Sequence, residues 1–114
     1  METNIKWTRE FPGAITVTDK NGIILEMNEK ACETFEKDGG KKLIGQNVLD
    51  CHPNQAQLKI KELMISGKIN SYTIEKNGIK KLIYQCPWYE NGQISGMVEL
   101  SLPIPEALAH FIRD

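Results

Sequence analysis

The residues of this chain best suited to chemistry are three thiols, Cys32, Cys51 and Cys86, the imidazole of His52, and the amide of Gln85 within an apolar-rich stretch. The cysteines lie 19 and 35 residues apart, a spacing that matches no paired ligand pattern for zinc or an iron–sulfur cluster. An odd, sparse count is not a disulfide framework either, and the plainer reading is small buried hydrophobes kept reduced in the cytosol. Cys51 beside His52 suggests a shared metal ion or an activated thiol. Side chains at i and i+1, however, diverge by about 100° on a helix and take opposite faces of a strand, so the two do not converge on one ion. No third group is in view to orient a base. His52 therefore stays open between ligation, lining a cavity, and a local cap or backbone bond. The chain has no Gly-x-Ser-x-Gly elbow, phosphate loop or His-Glu-x-x-His motif and no evident carboxylate pair, so neither a catalytic nor a metal site is expected, and the protein reads as a non-enzyme.

These residues sit in a chain of 114 residues with 14 basic and 15 acidic side chains, a net charge of −1. Scattered lysines give no field for a phosphate backbone or an anionic membrane, so nucleic acid and membrane are not expected partners. No apolar run reaches the roughly 18 residues of a membrane span, and the first residues lack the pattern of a secretory signal. A cytoplasmic protein is expected. With 40% apolar and 25% charged residues the composition is that of one ordinary domain.

Short elements separated by clear turns must position the candidate residues. Residues 14 to 20 are β-branched and partly alternating, Asn21-Gly22 supplies two positive-φ turn positions, and Ile23 to Met27 is apolar again, which predicts a hairpin. Asn28 is placed to cap a helix carrying Ala31, Cys32 and Phe35 on one face, ended by Gly39-Gly40. Residues 41 to 53 predict one or two single-turn helices. Asn54 starts a longer helix with a stripe of Ala56, Ile60, Leu63 and Met64, stopped by Gly67. Three strands then follow, Ile69 to Glu75, Ile79 to Tyr89 and Gln93 to Leu102, joined at Asn77-Gly78 and Asn91-Gly92. Residues 104–114 read as a carboxy-terminal helix with Leu108, Phe111 and Ile112 on one side, and residues 1–13 as an amino-terminal flanking segment. Segregated strands and helices predict an α+β domain, with the helical middle folded over one face of an antiparallel sheet.

The run Ala14-Ile15-Thr16-Val17-Thr18-Asp19-Lys20-Asn21-Gly22-Ile23-Ile24, with Asn28 and Ala31 after it, resembles the opening of a PAS sensory domain. Leu43-Ile44-Gly45-Gln46-Asn47-Val48 followed by Pro53 is similar to the middle of that family, and Pro87 through Gly92 to Gly96-Met97-Val98 to its final hairpin. The resemblance covers residues 12 to 103, with 14–103 as the domain proper. It implies a five-stranded sheet in the order 2-1-5-4-3 and a small-molecule cavity between sheet and helices. The Leu49-Asp50-Cys51-His52-Pro53 stretch resembles a bacterial and archaeal signalling subgroup. The cysteine of Asp50-Cys51-His52 departs from the motif of flavin-binding members, and residues 55 to 66 hold no histidine where haem-binding members place one.

By that resemblance Ile83, Gln85, Gly96, Val98 and Leu100 face the cavity, with Met27, Cys32, Phe35, His52, Ile60 and Met64 completing its walls. The opposite sheet face carries Leu82, Tyr84, Cys86 and Trp88. It needs cover from Ile5, Trp7 and Phe11 or from a second protomer, which predicts a parallel homodimer through Ile5, Trp7, Phe11, Tyr84 and Trp88. The expectation is a sensory module that binds a small molecule and acts through dimerisation or a partner protein, either as a free-standing chain or as a piece of a longer sensor. Two alternatives stand beside it: a ligand-free interaction module, and a haem or metal redox sensor using His52. The freshly purified protein should show no Soret band and no flavin absorption; a stoichiometric haem or flavin spectrum would overturn this reading.

Overall fold

The computed structural model describes residues 5–48 and 54–114. Strands β1 (Ala14–Asp19) and β2 (Ile24–Met27) lead into helix α1 (Glu29–Thr34), two short 3-10 turns (Glu36–Asp38 and Gly40–Leu43) and helix α2 (Asn54–Ser66). Strands β3 (Asn70–Lys76), β4 (Ile79–Glu90) and β5 (Gln93–Pro103) follow. All pairings are antiparallel, in the order β2-β1-β5-β4-β3, so the last strand lies at the centre. This is the α+β architecture and strand order expected above.

The turns form where their residues permit positive φ. Asn77 and Gly78 take φ of 53° and 76°, and Asn91 and Gly92 take 51° and 77°, the pattern of two-residue type I′ hairpins. The β1–β2 turn differs from expectation, because only Gly22 has positive φ there. The Asp19 carboxylate accepts the N–H of Asn21 at 2.8 Å and of Ile23 at 2.9 Å, so a side chain replaces the left-handed asparagine as organiser of the turn. Residues 45 to 48 then run beside β2: the N–H of Ile24 meets the Gln46 carbonyl at 2.9 Å and that of Gly45 the Ile24 carbonyl at 2.8 Å. That pairing covers an otherwise open sheet edge.

Asn28 does more than cap α1. Its Oδ1 accepts the N–H of Ala31 at 3.0 Å and of Ile15 at 2.9 Å, and its Nδ2 donates to the carbonyls of Thr8 at 2.9 Å and Gly13 at 2.8 Å. One buried amide thus joins the flanking segment, β1 and α1.

The carboxy-terminal end corrects the sequence reading. Residues 104–114 form no helix, and Leu108, Phe111 and Ile112 are exposed. A helix of about two turns is marginal without a surface to pack on, and none is offered to these side chains. In the amino-terminal flanking segment, residues 7–10 form turns. Trp7 packs edge-on against Phe11 with ring centroids 5.6 Å apart. The helix expected up to Gly39-Gly40 ends at Thr34 and continues as 3-10 turns.

Replacing Asn28 with Ala strands two backbone donors and two acceptors, which should cost about 3 kcal/mol or more. Asn28→Asp should fare little better, since it keeps the acceptor but sets a carboxylate oxygen against two carbonyls. Urea unfolding checks both, and loss of less than about 1 kcal/mol in either variant would contradict the tethering role.

Candidate functional site

In an antiparallel sheet, residues directly opposite one another share a face. The registers Thr16↔Met27, Thr16↔Glu99, Gln85↔Glu99 and Asn70↔Gln85 therefore set one side chain from each strand in a single row, Met27, Thr16, Glu99, Gln85 and Asn70, on the face beneath the helices. Neighbouring positions in the same row stand about 5 Å apart. Beside it lies a second row of Ser101, Ile83 and Tyr72. These rows floor a cavity of about 520 Å³, roofed by Phe35, Leu43, Val48 and Ile60. One end is plugged by Ile60, Leu63 and Met97, with Val48 and Met64 packed against them. The other opens along β3, where Tyr72 and Ile74 are 45% and 38% exposed.

The polar members of the central row form a directed chain. Asn70 Nδ2 donates to Gln85 Oε1 at 2.9 Å, and Gln85 Nε2 donates to Glu99 Oε2 at 2.7 Å. Glu99 can only accept, so the Gln85 amide has one orientation, and its carbonyl must face the Asn70 donor. Gln85 is buried, and its amide is held in place from both sides. Partial burial first, and the Glu99 carboxylate second, push the Tyr72 hydroxyl above its ordinary value of 10.0, so it remains a neutral phenol at the cavity mouth. Lys59, Lys76, Lys81 and Asp38 also border the cavity.

Of the expected wall residues, Met27, Phe35, Ile60, Ile83 and Gln85 meet here. Met64 sits one helical turn beyond Ile60, in the plug. Cys32 borders a separate hollow with Ile15, Val17, Leu25 and Ile44, because it is turned about 100° away from buried Ala31 on a helix of under two turns. Val98 and Leu100 require correction: they pair with Cys86 and Tyr84 and so lie on the outer face. The cause is a bulge. The Asn91-Gly92 turn sets Glu90 opposite Gln93 and Tyr89 opposite Ile94, but Trp88 then pairs with Gly96, leaving Ser95 as the extra residue. Without it Gln85 would face Val98; with it Gln85 faces Glu99, and every later side chain of β5 changes sides. Cys51 and His52 lie outside the described residues.

The outer face carries Leu82, Tyr84, Cys86, Trp88, Val98 and Leu100, all half-buried. Burial pushes the Cys86 thiol above its ordinary value of 9.0, which leaves it protonated and a poor nucleophile. The Trp88 indole N–H reaches over Gly96 to the Thr18 carbonyl at 2.8 Å. A Cβ on Gly96 would collide with that same carbonyl and come within 2.6 Å of the indole nitrogen. Ile5 and Trp7 are exposed and Phe11 is half-buried. Among the described residues no group of three His, Cys, Asp or Glu side chains could hold a metal ion, and no helix is long and apolar enough to cross a membrane.

A family model described as the PAS fold matches residues 7–74. The chain belongs to the PAS fold family. No curated protein sequence matches it. Among solved structures, it is similar to the VqmA dimer of Vibrio cholerae determined in the absence of target DNA (TM-score 0.68, 14% identity, 88% of this chain and 51% of that one). It therefore spans about half of that VqmA chain. It is also similar to VqmA bound to DPO (TM-score 0.67, 14% identity, 87% and 55%). A third is the Aer2 receptor of Vibrio cholerae, a dual PAS-heme oxygen sensor (TM-score 0.60, 15% identity, 82% and 95%). At these identities the likeness is one of fold, and this PAS domain's chemistry must be read from its own cavity.

Titration of the Tyr72 phenol should give a midpoint above 10, lowered part of the way by Glu99→Gln, since burial remains. A raised value means that Tyr72 stabilises the fold below pH 10 and that this contribution is lost as pH rises through the folded-state value. Tyr72→Phe should therefore flatten the alkaline limb of the stability curve, and an unchanged limb would contradict this.

Proposed function

We propose that this PAS domain is a sensory module that holds a small, mainly apolar molecule with one polar end in the cavity between its sheet and helices, and that it signals through dimerisation or a partner protein. The observation that carries this reading is the cavity itself, about 520 Å³, with a fixed amide, Gln85, in its floor. Its volume lies within the range of small-molecule sites, and apolar walls with a few placed polar groups are what such sites consist of. Among the described residues no large side chain is fully buried, in keeping with a domain whose centre is a space for a guest. VqmA, one of the similar proteins, has been seen bound to DPO, and Aer2 is a haem sensor; an organic ligand suits the present walls better than a haem, because α2 supplies no histidine. The role is one of binding, not catalysis. Free thiols at Cys32 and Cys86 suit a reducing cytoplasm.

The outer face favours self-association as the route of output. Tyr84 and Trp88 with Val98 and Leu100 form a half-covered apolar surface, and Ile5 and Trp7, 75% and 65% exposed, are available to complete it. A second protomer would bury both, and a ligand-free dimerisation module rests on the same surface.

A thermal-shift screen of metabolites, fatty acids and aromatic acids should find a stabiliser. At a hundred times its dissociation constant it would add about 2.7 kcal/mol, and Gln85→Leu should reduce the effect; a broad screen without a stabiliser would leave only the interaction module. Sedimentation equilibrium at about tens of micromolar should show a dimer that Trp7→Ala weakens, whereas a monomeric wild-type chain would contradict the outer-face role.

A further inference from the structure

The hydrogen-bond directions in the cavity floor say which kind of polar end the guest carries. Asn70 gives its proton to Gln85, and Gln85 gives its own to Glu99. The relay therefore ends on a carboxylate, which has about four lone-pair positions, one of them occupied by the N–H that Gln85 donates. Glu99 is half-buried and lines the cavity, and it has no ion-pair partner among the described residues.

The cavity cations stand elsewhere. Lys81 is four residues along β4 from Gln85, about 13 Å of strand. Lys76 is six residues along β3 from Asn70 and close to the Asn77-Gly78 turn, and Lys59 is exposed on α2. Asp38, the other acidic residue at the border, is exposed in the first 3-10 turn. Glu99 lies instead in the row between Thr16 and Gln85, among groups that carry no charge.

Building on the cavity reading above, we propose that the ligand presents an N–H donor, as a protonated amine or an N–H-bearing heterocycle, to the Glu99 carboxylate, with its apolar body against Phe35, Ile60 and Ile83. A carboxylate desolvated by a guest demands donors in place of the water it loses, and a charged donor meets that demand best. An anionic guest end would face Glu99 with like charge.

Three probes that share one apolar body test this: 1-naphthylmethylamine, 1-naphthalenemethanol and 1-naphthoate, titrated calorimetrically into the intact chain. The amine should bind at least tenfold more tightly than the other two, and Glu99→Gln should erase that preference. If the naphthoate or the alcohol binds as tightly as the amine, or if Glu99→Gln keeps the preference, the donor assignment fails while the cavity reading stands. If none of the three binds, both fail. The wild-type order decides the matter even where the Glu99→Gln chain does not fold.

Discussion

The Asn28 carboxamide stands where the sheet hands the chain over to the helical layer, and its four hydrogen bonds all go to backbone groups. A buried amide of this kind acts as a joint with one setting: each of its partners has lost water, and no rotation of the side chain satisfies them all except the one observed. The direction in which α1 leaves β2 is fixed by that joint. So is the position of the flanking segment, whose Arg9 carbonyl also accepts the Glu29 N–H at 3.1 Å. Because α1 and the turns after it are held from this edge and from the strip beside β2, they can span the sheet without filling the space beneath. The cavity exists because the helical layer is anchored at its margins.

A second constraint lies in β5. The extra residue at Ser95 turns the polar positions Glu99 and Ser101 inward and the apolar Val98, Leu100 and Leu102 outward. Gly96 permits it, since the Trp88 indole occupies the space a side chain would need and closes onto the Thr18 carbonyl. Thr18 itself is buried and borders the cavity. One hydrogen bond therefore connects the outer face, where a second protomer would dock, to the backbone of a residue on the inner wall, and offers a short physical path between guest and assembly.

The strands and the helical middle were legible because Asn-Gly turns, glycine stops and alternation are local signals that agree with one another; the order of the strands in the sheet came from the resemblance to PAS domains. The resemblance also placed Gln85 inward, and the uninterrupted pairing of β3 with β4 keeps it there. Glu99 was not legible, because facing Gln85 depends on a single inserted residue whose presence no alternation pattern announces, and the resemblance placed Val98 and Leu100 on that wall instead. The Ser95-Gly96 dipeptide is the one local hint, glycine within a strand being a common mark of a bulge or a close approach. The carboxy-terminal end was misjudged for a different reason. Helical spacing in residues 106 to 113 describes a stripe but not a partner for it, and without tertiary contact so short a helix does not form.

The cavity is tested most directly by titrating the isotopically labelled chain with the strongest stabiliser while following the side-chain amide signals of Gln85 and Asn70 by nuclear magnetic resonance. A guest in the cavity moves both signals together with the backbone amides of Thr16, Thr18 and Met97, in proportion to occupancy. Shifts confined to the outer face around Tyr84 and Leu100, with the Gln85 and Asn70 amides unmoved at saturation, would contradict it.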